Sequence, residues 1–320
     1  MNVIRGMGAK GSSVGALLAG VLMSVSGAAW AQGPWDEAWA SGEGVEALSR
    51  GACEPGGSLF APGEISLPER SEYRLSLSAD GQTAYYHVDT AEAPYGTIYV
   101  THKVNGHFGP GEVVSFSGTF HDSDPFLSPD GQSLYFSSMR PVDGVEREDF
   151  DLWVVHRSGK GWGAPQHLGN TVNSPRHELF PSVTADGTVY FASGTFETDF
   201  DIYRARRQGT GYAAPENLGM GVNSPDFWEY NPWVSPDGKL LIFASLNRPG
   251  GYGLGDLYVS FNLAGTWTRA LNMGPAVNTE KDEFHPTLSR DLRRLYFVRQ
   301  TWNPFTPSDF YSLDTRCLLR

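Results

Sequence analysis

The chain has 320 residues, a formal net charge of −12, 38 glycines, 21 prolines and 13% aromatic residues. So acidic a surface repels phosphate backbones and anionic lipid, which places nucleic acid and the membrane surface last among partners. Dense glycine and proline punctuation without long Ala, Leu, Glu and Lys runs describes a β protein, and the length suits one closed β domain.

The first element is an export signal. Arg5 and Lys10 make a basic start, residues 14–26 are small and apolar, and Ala29-Trp30-Ala31 is an A-x-A cleavage pattern, so residues 1–31 are predicted to be removed after Ala31. Losing Arg5 and Lys10 takes the formal charge to −14. The apolar stretch is too short to span a bilayer well, and no later segment reaches the ~20 apolar residues of a span. The expected product is a periplasmic or secreted monomer without a membrane span. Residues 32–57 read as an N-terminal arm and 58–320 as the folded domain.

A short motif then recurs five times: Ser78-Ala79-Asp80-Gly81, Ser128-Pro129-Asp130-Gly131, Thr184-Ala185-Asp186-Gly187, Ser235-Pro236-Asp237-Gly238 and the degenerate Ser289-Arg290-Asp291-Leu292. The aspartates are 50, 56, 51 and 54 residues apart, a period that four strands and their turns fill. Asp-Gly marks a hairpin turn. A short strand precedes it, as in Pro125-Phe126-Leu127, and an apolar strand follows, as in Leu134-Tyr135-Phe136. A third strand opens on Asp151, Asp201, Asp256 or Asp309, and a fourth starts near an aromatic residue and a proline, as in Trp162 to Pro165. One such sheet cannot bury both faces, but five around an axis can. The predicted fold is an all-β, five-bladed propeller of four-stranded antiparallel blades.

The fifth repeat ends without a fourth strand. Phe60-Ala61-Pro62-Gly63-Glu64-Ile65 resembles the fourth-strand pattern at Trp162 to Leu168, so an N-terminal strand is expected to complete the last blade. Cys53 lies just before that strand and Cys317 at the end of the third strand of the same blade. In an oxidising compartment these two form either a disulfide or two unpaired thiols, and ring closure favours the bridge.

Leu-Gly-x-x-Val-Asn-Ser-Pro, followed by an acidic residue, Pro and Ser-Pro-Asp-Gly, resembles the TolB-like, WD40-like propeller repeat of bacterial envelope proteins. The matching stretches are 168–187, 218–238 and, more loosely, 273–292, and the resemblance spans about 58–317. It implies architecture rather than activity. TolB itself carries a separate N-terminal α/β domain, which residues 32–57 are too few to supply.

Eight residues before each turn aspartate stand Glu72, Asp122, Glu178, Glu229 and Glu283. Five acids at one repeat position predict a ring near one mouth of the central channel. Three roles are open to it: a set of structural hydrogen bonds, a Ca²⁺ site built from carboxylate oxygens, or paired carboxylates for glycosidic cleavage. Two residues further on, Arg74, Asp124, Phe180, Asn231 and His285 all differ, which frees that position to serve a ligand. His121, His177 and Trp228 also break the repeat near the mouth and suit a sugar or small polar ligand. His121 and Asp122 with His285 could hold a transition metal. No other cofactor is indicated. The leading reading is a non-catalytic exported propeller that binds a protein or envelope glycan at the channel mouth. The alternative is a glycoside hydrolase or polysaccharide lyase working in the channel.

Overall fold

The structure, a computed structural model, describes residues 55–90, 95–302 and 304–319. The expected export signal, the arm as far as residue 54, and Cys53 lie outside the described residues. Cys317 is buried in a 3-10 turn at Thr315–Leu319.

Five antiparallel blades follow one another along the described chain, with a small two-stranded ribbon, Arg207–Gln208 and Gly211–Tyr212, extending the third. Blade 1 runs through Ser71–Leu77, Thr83–Asp89, Thr97–Val104 and the outer Glu112–Val113. Blade 2 uses Asp122–Leu127, Ser133–Ser138, Asp151–Ser158 and Gln166–His167. Blade 3 uses His177–Val183, Val189–Gly194, Phe200–Ala205 and Glu216–Asn217. Blade 4 uses Glu229–Val234, Leu240–Leu246, Gly255–Leu263 and Leu271–Asn272. Blade 5 takes Asp282–Leu288, Arg294–Gln300 and Asp309–Asp314 from the end of the chain and Ser58–Leu59 from its beginning. The chain is therefore an all-β five-bladed propeller whose ring the N-terminal strand closes.

The closing strand has a different register from the one its sequence suggests. Ser58 lies opposite Ser312 and Leu59 opposite Tyr311, while Phe60 donates its N–H to the Phe310 carbonyl. In blade 2 the residue that donates to the corresponding carbonyl, Leu152, is Leu168. Phe60 thus replaces the Leu of Leu-Gly-x-x-Val-Asn-Ser, and Ala61, at φ 47°, replaces its left-handed Gly169. Ile65 is fully buried like Val172, and the Ser66 hydroxyl accepts the Phe310 N–H as the Asn173 amide accepts that of Leu152. Residues 60–66 are the inter-blade connection, and the paired strand lies just before them.

The repeated sequence signals have direct physical roles. In all five turns the Ser or Thr hydroxyl donates to the aspartate, which also accepts a backbone N–H two residues on. Gly81, Gly131, Gly187 and Gly238 have φ between 66° and 84°, and in the degenerate fifth turn Leu292 adopts φ 58° instead. In every blade one second-strand aromatic is fully buried: Tyr86, Phe136, Phe191, Phe243 and Phe297. Burying one such side chain contributes about 1.5–3 kcal/mol. In four blades it stacks on a third-strand tyrosine, Tyr99, Tyr203, Tyr258 or Tyr311, with interplanar angles of 24–27°.

Candidate functional site

Inner and second strands pair antiparallel, so the start of each inner strand meets the end of the second, and the loops to the third strand crown that same face of the ring. This face carries every residue predicted to serve a ligand.

The five acids begin the inner strands and are essentially inaccessible. Glu178 accepts the backbone N–H and the hydroxyl of Ser174, at 2.9 and 2.7 Å, and the hydroxyl of Ser193 on its neighbouring strand. Glu229 does the same with Ser224 and Ser245. Glu283 takes Thr279 in that way, with Arg299 at 2.6 Å in place of the serine. Asp122 accepts the Ser117 and Ser138 hydroxyls and Arg140. Glu72 accepts Arg70 at 2.6 Å and the Leu67 N–H. Each acid clasps the connection that enters its own blade. Burial pushes Glu72 up to about 8 and both Glu178 and Glu229 up to about 7, against the hydrogen bonds that favour their charged forms. Carboxylates engaged one by one in this way do not offer a shared set of oxygens to a Ca²⁺ ion.

The position two residues further on is built differently. A bulge interrupts the inner strand of all five blades at the same point. Arg74, Asp124, Phe180, Asn231 and His285 occupy it with φ of 49–61°. Proline follows in four blades, so the displaced position leaves no backbone N–H without a partner. These five side chains converge across the axis. Arg74 donates to the carbonyls of Pro181 and Pro232 from other blades, at 2.7 and 3.0 Å. The Asn231 amide oxygen accepts the His285 N–H, His285 Nε2 lies 3.7 Å from Asp124, and the Phe180 ring meets the His285 ring edge-on. Arg74 Nε and Nη1, Asn231 Nδ2 and His285 Nδ1 are buried with no partner. Burial lowers Arg74 to about 10, which leaves it cationic at neutral pH, and holds His285 well below its ordinary value. Burial also raises Asp124.

Outside this ring, His177 and Trp228 join an aromatic arc. His121 packs on Phe150, Phe150 on His177, and His177 on Phe196, with centroids 4.7–5.9 Å apart. Trp228 closes on Phe196 and Phe200 and donates its indole N–H to Thr198. The trio of His121, Asp122 and His285 is not assembled, because Asp122 is turned onto Ser138 and Arg140. His121 instead meets His87 and Asp89, at the end of the second strand of blade 1. Sequence reasoning missed these two. The available signal was His-x-Asp, whose alternate positions share one face of a strand. It also missed the loop aromatics Tyr95, Phe196, Tyr252, Trp302 and Phe305, all exposed.

No protein-family model and no curated protein matches the chain. Among solved structures it is similar to a protein assigned as TolB from Agrobacterium tumefaciens, with 17% identity, 77% of each chain covered and a TM-score of 0.51. A complex of BT0996 with RGII gives 8% identity, 81% of this chain, 90% of that one and a TM-score of 0.56. A glycoside hydrolase gives 8% identity, the same coverage and a TM-score of 0.55. At such identities the likeness is one of fold. Ring, blade count and repeat together make this chain a five-bladed β-propeller structurally similar to the propeller domain of TolB.

Proposed function

We propose that the protein is an exported, non-catalytic binding module that takes a glycan across the aromatic-rimmed mouth of its channel. The carrying observation is the distribution of exposed apolar side chains. Twelve large hydrophobic residues are exposed among the described residues, and seven of them lie in the five loops joining second to third strands: Tyr95, Val145, Phe196, Tyr252, Leu254, Trp302 and Phe305. Every blade contributes to that crown. Apolar residues gathered around a polar opening mark a binding surface, and aromatic rings give a sugar flat faces to stack on, with polar groups nearby to orient it. Inside that crown, on the axis, Arg74, Asn231 and His285 keep buried polar atoms without partners.

A polysaccharide-cleaving enzyme is the second reading, supported by the fold likeness to a glycoside hydrolase. Cleavage requires two carboxyl groups free to act as acid and base or nucleophile, roughly 5–9 Å apart. Here the five ring acids are each engaged in a clasp, which favours binding over turnover. Cleavage of residues 1–31, a periplasmic or extracellular location and a Cys53–Cys317 bridge belong to the same proposal.

The test is a panel of neutral and acidic polysaccharides offered to the purified mature protein, following both retention and new reducing ends. Retention without new ends is expected, lost in Trp302→Ala and Phe196→Ala. New reducing ends or unsaturated products establish the enzyme instead. A panel that binds nothing, with a protein captured in its place, shifts the partner to a polypeptide.

A further inference from the structure

We infer that His87, Asp89 and His121 form a binding site for one divalent first-row transition-metal ion, of the zinc class, on the channel mouth between blades 1 and 2. The inference does not depend on whether the mouth binds a glycan. Among the described residues, these three bring one potential ligand atom each to within 4.8 Å of the others. Two imidazoles and one carboxylate form a set that suits zinc and its neighbours in the first row, whereas calcium and magnesium want all-oxygen surroundings.

The space between the ligands is kept open by the chain itself. A Cβ placed on Gly96 would collide with Nε2 of both His87 and His121. Both nitrogens therefore face one small volume that any other residue at position 96 would fill. The backbone around it is anchored, since Asp122 donates its N–H to the Gly96 carbonyl at 3.0 Å and Met139 donates to that of His121 at 3.1 Å. Side-chain packing restrains the rings, with Tyr73 over His87 at 5.3 Å and Phe150 against the edge of His121 at 5.0 Å. Asp89 Oδ1 already lies 3.0 Å from His87 Nε2. A metal entering here would replace that hydrogen bond with coordination from both partners.

His87 is more than nine-tenths buried, with its Nε2 turned to Asp89 and to the gap beside Gly96. The three ligands come from two blades: His87 and Asp89 from the second strand of blade 1, His121 from the residue before the inner strand of blade 2. A bound ion would tie these blades together at the mouth. Three protein ligands also leave a coordination position for water or a ligand oxygen, which is how zinc sites stay open to exchange.

The experiment uses tag-free mature protein stripped with EDTA and then titrated with Zn²⁺ by calorimetry and with Co²⁺ by visible absorption. One zinc per chain is expected, together with cobalt d–d bands and a raised unfolding temperature. His121→Ala and Gly96→Ala should each weaken zinc at least about tenfold, the first by removing a ligand and the second by filling the gap with all three ligands retained. His156→Ala, on the third strand of blade 2, should leave zinc binding unchanged. Should both variants fail to fold, Asp89→Asn, at a half-exposed position, replaces them and should show the same loss with a native circular dichroism spectrum. A stripped wild-type chain that takes up no zinc in excess metal, or zinc affinity retained in the folded variants, overturns the site.

Discussion

Asn173 grips Leu152 twice: its amide oxygen accepts the Leu152 N–H at 2.8 Å, and its amide nitrogen donates to the Leu152 carbonyl at 3.2 Å. Asn223 holds Ile202, and Asn278 holds Leu257, in the same way. A side-chain amide here replaces a strand's edge partner at the third strand of the preceding blade. Asn173→Ala, Asn223→Ala and Asn278→Ala should therefore each leave one buried backbone N–H unpaired, while the carbonyl keeps its bond from Leu168, Leu218 or Met273, and lower stability by about 1–3 kcal/mol. Urea denaturation of the three variants checks this, and near-equal losses are the expected mark of one repeated device.

The clasps make stability depend on pH. Glu178 and Glu229 titrate near 7 in the fold and 4.5 otherwise, because burial disfavours their charged forms. The folded protein then binds protons more tightly than the unfolded chain. The stabilisation is complete below about 4.5 and is lost as pH rises through about 7. Urea midpoints should fall between pH 5 and pH 8, and Glu178→Gln with Glu229→Gln should flatten that slope.

Removing a donor tests the clasp from the other side. Ser174→Ala deletes the hydroxyl that Glu178 accepts at 2.7 Å but keeps the backbone N–H. A loss of about 1–2 kcal/mol is expected, with no change in any ligand binding at the mouth. Chemical denaturation and a binding titration on one preparation give both readouts.

Ring closure predicts a covalent link. Ser58–Leu59 pairs with the strand that leads into Cys317, so non-reducing peptide mapping should recover Cys53 joined to Cys317. Reduction should lower the unfolding free energy, by at most about 5 kcal/mol in the loop-entropy account. Recovery of both cysteines as free thiols from an exported preparation rejects the link.

The crown should be separable from the fold. Phe305 is more than half exposed, so Phe305→Ala should change stability by no more than about 0.5 kcal/mol, whereas Trp302→Ala, which removes the indole N–H that the buried Asp282 accepts at 2.8 Å, should cost about 1–2 kcal/mol and still leave the protein folded. The same changes should reduce retention on the polysaccharide recognised, roughly tenfold for a stacking contact of about 1.4 kcal/mol.

The blade count and strand order were readable because Asp-Gly turns and buried aromatics recur with little variation, each held by a local hydrogen bond or a fixed pleat. The register of the closing strand was not. Phe60, Ala61, Ile65 and Ser66 fill the places of Leu, Gly, Val and Asn, so the connection survives in shape but hardly in letters. The five acids were identified as a repeated set. Their burial and their Ser or Thr partners depend on how a connection folds back onto the next blade, which composition does not reveal. His121 was singled out, but His87 and Asp89 reach it only through the packing of two neighbouring sheets. The exposed aromatics sit in loops of unequal length, where no periodicity marks them.

The kinked inner strands have a consequence for how such a molecule can change. Arg74, Asp124, Phe180, Asn231 and His285 share one backbone shape despite having nothing chemical in common. The pairing on either side of each kink, and in four cases the proline after it, dictates that shape. The scaffold therefore tolerates a cation, an anion, an aromatic ring, an amide and an imidazole at equivalent stations. Selectivity could be rewritten at any one station by a single exchange, while the surrounding hydrogen-bond ladder stays as it is.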